Sequence, residues 1–238
     1  MKPEPICGAN AVTALFARRA GDVQRLFYLA AHRDLVGPWC AGLAAARKPY
    51  RLVEAAELET VAGTPHHGGV VAIARWQAPL IFDHADPPRG KFLLILDGIG
   101  NPHNLGAIAR SAAFFGAPAL LIGEGPNHAL PSPAAYRTAE GGLEYLTLYR
   151  TRDLPRAIAA LDPHYRTVAA SLSRLAVKPA DLPRDRPIAL VLGNEEHGVS
   201  PEVLAACRRE VRIPGKGAVQ SLNVAQAAAV LLHGFLGD

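Results

Sequence analysis

The chain is poor in cysteine and has no long apolar run. Its three cysteines, Cys7, Cys40 and Cys207, lie far apart among 238 residues. That spacing argues against a disulfide framework and against a Cys-x-x-Cys metal site, so we expect all three to be small core side chains. No stretch of eighteen apolar residues occurs, and the first residues lack the apolar segment of a signal peptide. We therefore expect a cytoplasmic protein that makes no use of a membrane.

Charged residues are also scarce, at 19% of the chain against 50% hydrophobic ones, a composition typical of a globular protein. The net charge is +4 and the pI about 9.1, which favours a polyanionic partner. Nine Lys and Arg stand against six Asp and Glu through Ala78, and sixteen stand against fifteen afterwards. The first third is therefore the better candidate for phosphate contacts. A solvated basic surface explains the charge equally well.

The first part of the chain alternates helix and strand patterns, which predicts a small α/β layer domain over residues 1–78. A Pro-rich, charged stretch at 79–90 follows and is typical of a linker. The predicted helices cover 10–19, 34–47 and 55–60, and the predicted strands cover 25–30, 50–53 and 69–74.

The second part, residues 91–238, predicts an α/β fold with a mostly parallel sheet. The predicted strands cover 92–96, 119–122, 167–170 and 188–192, and the predicted helices cover 104–115, 132–139, 154–161 and 222–232. The final helix is apolar on almost every face. We therefore expect either the sheet or a second subunit to bury it.

Three strands of the second part are followed by polar, mostly Gly-rich loops. These loops occupy residues 101–110, 193–198 and 212–224. Small ligands bind outside the carboxyl ends of parallel strands. The pattern therefore predicts a binding crevice at this edge of the sheet.

Three motifs occur in order along these loops. They read Asn104-x-Gly106-x-x-x-Arg110, then Gly193-Asn194-Glu195-x-x-Gly198, then Ile213-Pro214-x-x-Gly217-x-Val219-x-Ser221-Leu222-Asn223-Val224. Together they resemble the TrmH/SpoU group of the SPOUT superfamily, over about Lys91 to the C-terminus. The group usually has Met where Gly215 stands, and often Ser-x-Ala where residues 225–227 stand.

The resemblance implies a SPOUT-type α/β trefoil-knot methyltransferase domain behind a small ribosomal-protein-like substrate-binding domain. It implies transfer of a methyl group from S-adenosyl-L-methionine (AdoMet) to an RNA ribose 2′-hydroxyl, without a metal, in a homodimer formed through the C-terminal domain. By analogy, the separate N-terminal module favours ribosomal RNA over transfer RNA as the substrate. The alternative is a non-catalytic RNA-binding protein that has kept the fold.

The resemblance also assigns candidate catalytic residues. Arg110 matches the arginine that activates the 2′-hydroxyl. Because guanidinium stays protonated, we favour electrostatic stabilisation of the alkoxide over proton abstraction; whether Arg110 acts in its own subunit or across the dimer stays open. Asn104 is expected to hold the ribose or fix Arg110, or to cap its helix. Glu195 is expected to pair with Arg110 or to anchor its loop. Ser221 and Asn223 complete the set, with helix capping as the alternative for Ser221.

The third motif is expected to form most of the cofactor pocket, because its glycines leave backbone amides and carbonyls open to a ligand. By resemblance, the contacts with AdoMet fall mainly on Gly193, Ile213 and Leu222. The neighbouring candidates are Leu192, Asn194, Pro214 and Val224.

A Rossmann-type dinucleotide site is the main rival interpretation. Gly98 and Gly100 follow a strand, as in a Gly-x-Gly-x-x-Gly fingerprint. The third glycine of that pattern would fall at His103, however, and Gly106 comes three residues late. The three ordered motifs are therefore the more specific signal.

Overall fold

The computed structural model describes residues 3–75 and 77–237. It contains a four-stranded sheet followed by a seven-stranded sheet, with helices packed against both. The predicted α/β class is therefore confirmed. Within the described ranges, no helix combines the length and the hydropathy that a membrane crossing requires.

The first sheet has the strand order β1-β4-β2-β3. Strand β4 is antiparallel to β1 and β2, whereas β2 and β3 are parallel. The strands are β1 (Glu4–Cys7), β2 (Val23–Tyr28), β3 (Tyr50–Leu52) and β4 (Val70–Ala74), and the helices are α1 (Ala9–Arg19), α2 (Arg33–Ala45) and α3 (Ala55–Ala62). All predicted elements of this part are present, and β1 is additional. Strand β1 contains Pro5 and lies at the sheet edge, where proline is tolerated.

The second sheet is parallel throughout, in the order β11-β9-β10-β6-β7-β8-β5. Every residue of β6, β7 and β10 is buried, as expected for strands covered on both faces. The strands are β5 (Leu80–Ile81), β6 (Phe92–Leu96), β7 (Ala119–Gly123), β8 (Thr147–Thr151), β9 (Arg166–Ala170), β10 (Ile188–Leu192) and β11 (Arg209–Val211). Their carboxyl ends therefore share one edge.

The helices of this part are α4 (Pro102–Phe114), α5 (Pro133–Ala139), α6 (Leu154–Leu161), α7 (Pro201–Ala206) and α8 (Val224–Leu236). Helices α4 and α8 each begin two residues away from the predicted position. Asn101 caps α4 by accepting a hydrogen bond from the His103 amide at 2.8 Å, so Asn104 is not the cap. Asn223 caps α8 by accepting from the Ala225 amide at 2.9 Å, so the capping alternative for Ser221 is wrong.

Helix α8 is only partly buried. Ala228, Leu231, Leu232 and Phe235 point into the core shared with α4, whereas Val230 is 45% exposed. The expectation that the sheet or a partner buries this apolar helix therefore holds for one face, and the other lies at the surface of the single chain.

The predicted linker contributes to the second sheet. Strand β5 pairs in parallel with β8, and the adjacent Phe82 is 3% exposed. The segment 79–90 therefore runs along the edge of the seven-stranded sheet for part of its length.

The two parts of the chain pack against each other. Helix α1 contacts the short 3₁₀ helix Gly142–Tyr145, and strand β1 contacts α5. Arg19 donates from Nε and Nη2 to the two carboxylate oxygens of Glu144, at 2.7 and 2.8 Å, and the Glu144 side chain is 1% exposed. A buried bidentate ion pair thus fixes α1 to the second part.

Candidate active site

The three motif loops meet at the carboxyl edge of the seven-stranded sheet. Strand β10 lies between β9 and β6, and Leu96 at the end of β6 is in register with Leu192 at the end of β10. The β11 strand that precedes the third motif lies on the other side of β9. The first two loops therefore follow adjacent strands and are direct neighbours. The predicted crevice lies at the carboxyl ends of these strands, where small ligands bind in parallel sheets.

The loop of the second motif is closed on itself. Asn194 and Gly198 exchange backbone hydrogen bonds, both at 2.9 Å. A Cβ on Gly193 would come within 2.1 Å of the Gly198 carbonyl carbon, so the close approach requires glycine there. The Asn194 side chain accepts from the Glu196 and His197 amides and donates to the Gly98 carbonyl at 2.8 Å. Asn194 therefore ties the second motif to the loop after β6.

Two further side chains, absent from the motifs, hold the loop after β6. His128 Nε2 accepts from the Gly98 amide at 2.9 Å. Burial lowers the pKa of His128, and the nearby Asp97 carboxylate opposes that shift in part, so the neutral imidazole is favoured at pH 7. Asp97 is 8% exposed and accepts from the Ser200 amide at 2.7 Å. The motif pattern gave no signal for either role.

Asn104, Glu195 and Asn223 form a connected cluster, one residue from each motif. Asn104 Nδ2 donates to Glu195 Oε1, and Asn223 Nδ2 donates to Asn104 Oδ1 at 3.4 Å. Asn104 is half-buried, whereas Glu195 and Asn223 are exposed. Three of the five candidate catalytic residues therefore present polar atoms together at a solvent-accessible position.

Arg110 pairs with a residue that the motifs do not include. Its Nη1 lies 2.9 Å from Glu140 Oε1, just beyond the end of α5, and both side chains are exposed. Glu195 bonds to Asn104 instead, so the expected pair between Arg110 and Glu195 is not formed in this structure. The reason is the position of Arg110 on α4, six residues and hence about 240° around the helix from Asn104.

The third motif forms an open loop. Residues 214–223 are exposed, Ser221 among them, and an added Cβ on Gly215 or Gly217 would meet no atom within 4 Å. Ile213 packs against the core at the start of the loop, and Val224 is buried at its end. The loop is therefore fixed at both ends and accessible between them.

Apolar side chains are exposed on both sides of this edge. Val219 and Leu222 are 83% and 49% exposed in the third motif, and Leu172 and Leu175 are 62% and 88% exposed after β9. Apolar surfaces beside open backbone groups suit an adenine ring and its hydrogen-bonding edge. The residues present therefore fit a nucleoside-containing cofactor such as AdoMet. The loop after β9 is a part of this surface that the sequence had not indicated.

Family comparisons agree with both parts of the fold. Residues 91–233 match the SpoU rRNA Methylase family, and residues 5–78 match the family described as RNA 2′-O ribose methyltransferase substrate binding. The predicted order of a substrate-binding part and a methyltransferase part is therefore confirmed.

Individual relatives extend the likeness to almost the whole chain. The 23S rRNA (guanosine-2′-O-)-methyltransferase RlmB of Acinetobacter baylyi is 30% identical, covering 98% of this chain and 96% of the relative. A solved RNA 2′-O ribose methyltransferase shares the fold with a TM-score of 0.78 and 26% identity, covering 99% of this chain and 88% of the other.

A second solved structure is the SpoU methyltransferase AviRb of Streptomyces viridochromogenes in complex with AdoMet. Its TM-score is 0.77 at 22% identity, covering 99% of this chain and 90% of the other. The cofactor predicted for this chain is thus bound by a protein of the same fold. The family matches support the predicted activity class, RNA ribose 2′-O-methylation. On this evidence, the chain belongs to the SpoU rRNA methylase family.

Proposed function

We propose that the protein transfers a methyl group from AdoMet to a ribose 2′-hydroxyl of ribosomal RNA, in the cytoplasm. The observation that supports this most strongly is the cluster of Asn104, Glu195 and Asn223, which joins the three motifs at the carboxyl edge of the sheet. The near full-length likeness to a 23S rRNA guanosine methyltransferase favours ribosomal over transfer RNA.

The cofactor-binding residues are proposed to be those of the second and third motif loops. The backbone of Leu192 and Gly193 and the side chains of Ile213 and Leu222 lie at or beside the carboxyl edge, with Asn194, Pro214 and Val224 as neighbours. AdoMet supplies a methyl group already activated by its sulfonium charge. The protein therefore has to align the acceptor oxygen and exclude water, for which no metal is required.

Arg110 is proposed to stabilise the negative charge that develops on the 2′-oxygen. A guanidinium has no free acceptor site and stays protonated in proteins. The proton therefore leaves the hydroxyl for a phosphate oxygen or water, while the positive charge favours the alkoxide.

The side-chain cluster is proposed to orient the ribose. The side-chain nitrogen of Asn104 donates a hydrogen bond to Glu195. The side-chain oxygen of Asn104 therefore faces Asn223 and the solvent. A fixed amide can discriminate between orientations of a sugar hydroxyl, which a freely rotating amide cannot. Ser221 lies two residues before Asn223 in the exposed loop and completes the polar lining.

The N-terminal part is proposed to bind RNA away from the target nucleotide. Six of its arginines are exposed, and together they can contact the phosphate backbone without reading sequence. They are Arg18, Arg25, Arg33, Arg47, Arg51 and Arg75. On this proposal, residues 1–78 provide general affinity for RNA and residues 91–238 carry out methyl transfer. Residues 79–90 connect the two parts.

A homodimer through the C-terminal domain is part of the same proposal. Helices α4 and α8 pack together, and each presents an exposed apolar side chain, Phe114 at 82% and Val230 at 45%. Apolar surface of this kind favours association with a second copy. In a dimer, Arg110 of one copy can serve either its own site or the neighbouring one.

The test is methyl transfer from radiolabelled AdoMet to separate pools of unmodified ribosomal and transfer RNA. We expect label in a 2′-O-methyl nucleoside of ribosomal RNA, and loss of that label in the Arg110→Ala variant. Label in transfer RNA alone would overturn the substrate assignment. AdoMet-independent RNA binding without any transfer would favour the non-catalytic alternative.

A further inference from the structure

We propose that Glu140 is a positioning residue for Arg110, and that docking of the N-terminal part holds Glu140 in place through Asn10. The proposal rests on the proposed catalytic role of Arg110. It assigns a function in the reaction to an interface between the two parts of the chain.

One carboxylate joins the two parts. Glu140 Oε1 lies 2.9 Å from Arg110 Nη1 on α4, and Glu140 Oε2 accepts a hydrogen bond from Asn10 Nδ2 on α1 at 3.0 Å. Both oxygens are thus engaged, one by the candidate catalytic residue and one by the RNA-binding part. An exposed arginine otherwise samples many rotamers, and an ion pair with a fixed carboxylate favours one of them.

The backbone conformation at residue 140 disfavours a glutamate. Glu140 has φ 44° in the left-handed region at the end of α5, where glycine or asparagine is favoured. The turn itself does not require a carboxylate. The link to Arg110 and Asn10 supplies a reason for one.

The segment after Glu140 has no room for larger residues. A Cβ on Gly141 would lie 2.7 Å from Ala14 Cβ of α1, and a Cβ on Gly142 would lie 2.8 Å from Arg110 Cα. Two residues further on, Glu144 receives the bidentate hydrogen bonds of Arg19. Helix α1, the 140–144 segment and α4 therefore form three successive layers in contact, so that a displacement of α1 reaches the backbone of Arg110.

Both side chains of the Arg110–Glu140 pair are exposed, that of Arg110 by 56% and that of Glu140 by 42%. Exposed pairs contribute little to folding. Removal of Glu140 should therefore change the reaction and leave the stability of the protein nearly unchanged, which separates a positioning role from a structural one.

The experiment measures steady-state methyl transfer to ribosomal RNA by the full-length chain. Glu140→Ala is expected to lower kcat about 5- to 20-fold, with the AdoMet dissociation constant unchanged. Glu140→Gln, which keeps the length of the side chain and an acceptor oxygen but not the charge, is expected to recover part of that loss. Asn10→Ala is expected to lower kcat less, and to add nothing in the Glu140→Ala background.

Three controls separate the possible failures. Arg110→Ala gives the lowest kcat expected when the arginine is absent. Glu57→Ala removes the carboxylate of another exposed pair, Arg51–Glu57. Thermal melting confirms that each variant is folded. Wild-type or higher kcat in Glu140→Ala, with Arg110→Ala inactive, would overturn the role of Glu140 and leave that of Arg110 intact. An active Arg110→Ala would overturn the proposed function of Arg110 itself. Additive losses in the double variant would refute the coupling to Asn10.

Discussion

The side-chain amide of Asn104 donates a hydrogen bond to the carboxylate of Glu195, 91 residues later in the chain. Asn104 lies in the first turn of α4, after β6, and Glu195 lies in the loop after β10. The two strands are adjacent, parallel and in register at Leu96 and Leu192. The sheet thus brings two distant motifs into one site, and the contact gives that site a fixed internal geometry.

Disruption of this contact is expected to slow methyl transfer. Asn104→Ala and Glu195→Ala should each lower kcat about 10- to 100-fold, the equivalent of one hydrogen bond to a charged group. The double variant should lose little more than either single one, because both remove the same interaction. Steady-state kinetics of the four proteins checks this, and additive losses would show that the two residues act independently.

Asn104→Asp is a matched test of the same contact. The substitution keeps the size of the side chain but places a second carboxylate against Glu195, and like charges at hydrogen-bond distance repel. We expect activity at least as low as that of Asn104→Ala, with partial recovery in the Asn104→Asp, Glu195→Gln double variant. No recovery would mean that the charge of Glu195 is needed for another reason.

The ion pair between Arg19 and Glu144 is expected to be important for stability. Glu144→Ala leaves Arg19, whose side chain is 12% exposed, without its main partner, and such a loss costs about 3–5 kcal/mol of unfolding free energy. Urea unfolding measures this. Glu57→Ala, at an exposed pair, should cost no more than about 1 kcal/mol, and equal losses in the two variants would contradict the buried role of Glu144.

Stability is expected to fall in mild acid through His128. Burial depresses the pKa of His128 in the folded protein, so below the unfolded pKa of about 6.5 the unfolded state binds more protons. The stability that neutral His128 contributes is therefore complete above that pH. It is lost as the pH falls through the pKa of His128 in the folded protein. His128→Gln keeps an acceptor for the Gly98 amide but cannot titrate. The drop in Tm from pH 7.5 to 5.5 should be smaller in this variant, and equal drops would contradict the assignment.

A methyl group at Gly142 is expected to disturb both stability and activity. Its Cβ would lie 2.8 Å from Arg110 Cα and 2.9 Å from the Ala109 carbonyl oxygen, so Gly142→Ala should cost about 1–3 kcal/mol and lower kcat by displacing Arg110. Gly42→Ala is the control, because Gly42 lies inside α2 with open space around it. That variant should gain about 0.5–1 kcal/mol with unchanged kcat. A stable, fully active Gly142→Ala would contradict the tight packing at Arg110.

Much of the fold could be predicted from the sequence because its signals are local. The apolar runs of β6, β7 and β10 and the alternation of elements before Ala78 follow from the pattern alone. Strand β5 was missed because its two residues are too few to show a period, and the strand expected before the third motif, β11, received no bounds for the same reason, with three residues. Strand β8, with exposed Thr147 and half-buried Arg150, has no continuous apolar run either.

The caps show where a local signal was available but outweighed by the motif. Asn101 precedes Pro102, and proline at the first helical position marks the preceding residue as the cap. The motif drew attention to Asn104 instead. The partners of Arg110 are a different case, because Glu140 belongs to no motif and reaches Arg110 only through the packing of α5 on α4. No pattern along the chain contains that information.

The most direct test of the central claim is the response to a missing 2′-hydroxyl. Once the target nucleotide is mapped, an RNA fragment with a single 2′-deoxynucleotide at that position is compared with the all-ribose fragment. We predict that the protein binds both fragments with similar affinity, in the presence of AdoMet, and methylates only the all-ribose one. Equal methylation of the two fragments would place the methyl group on the base and contradict the proposed chemistry.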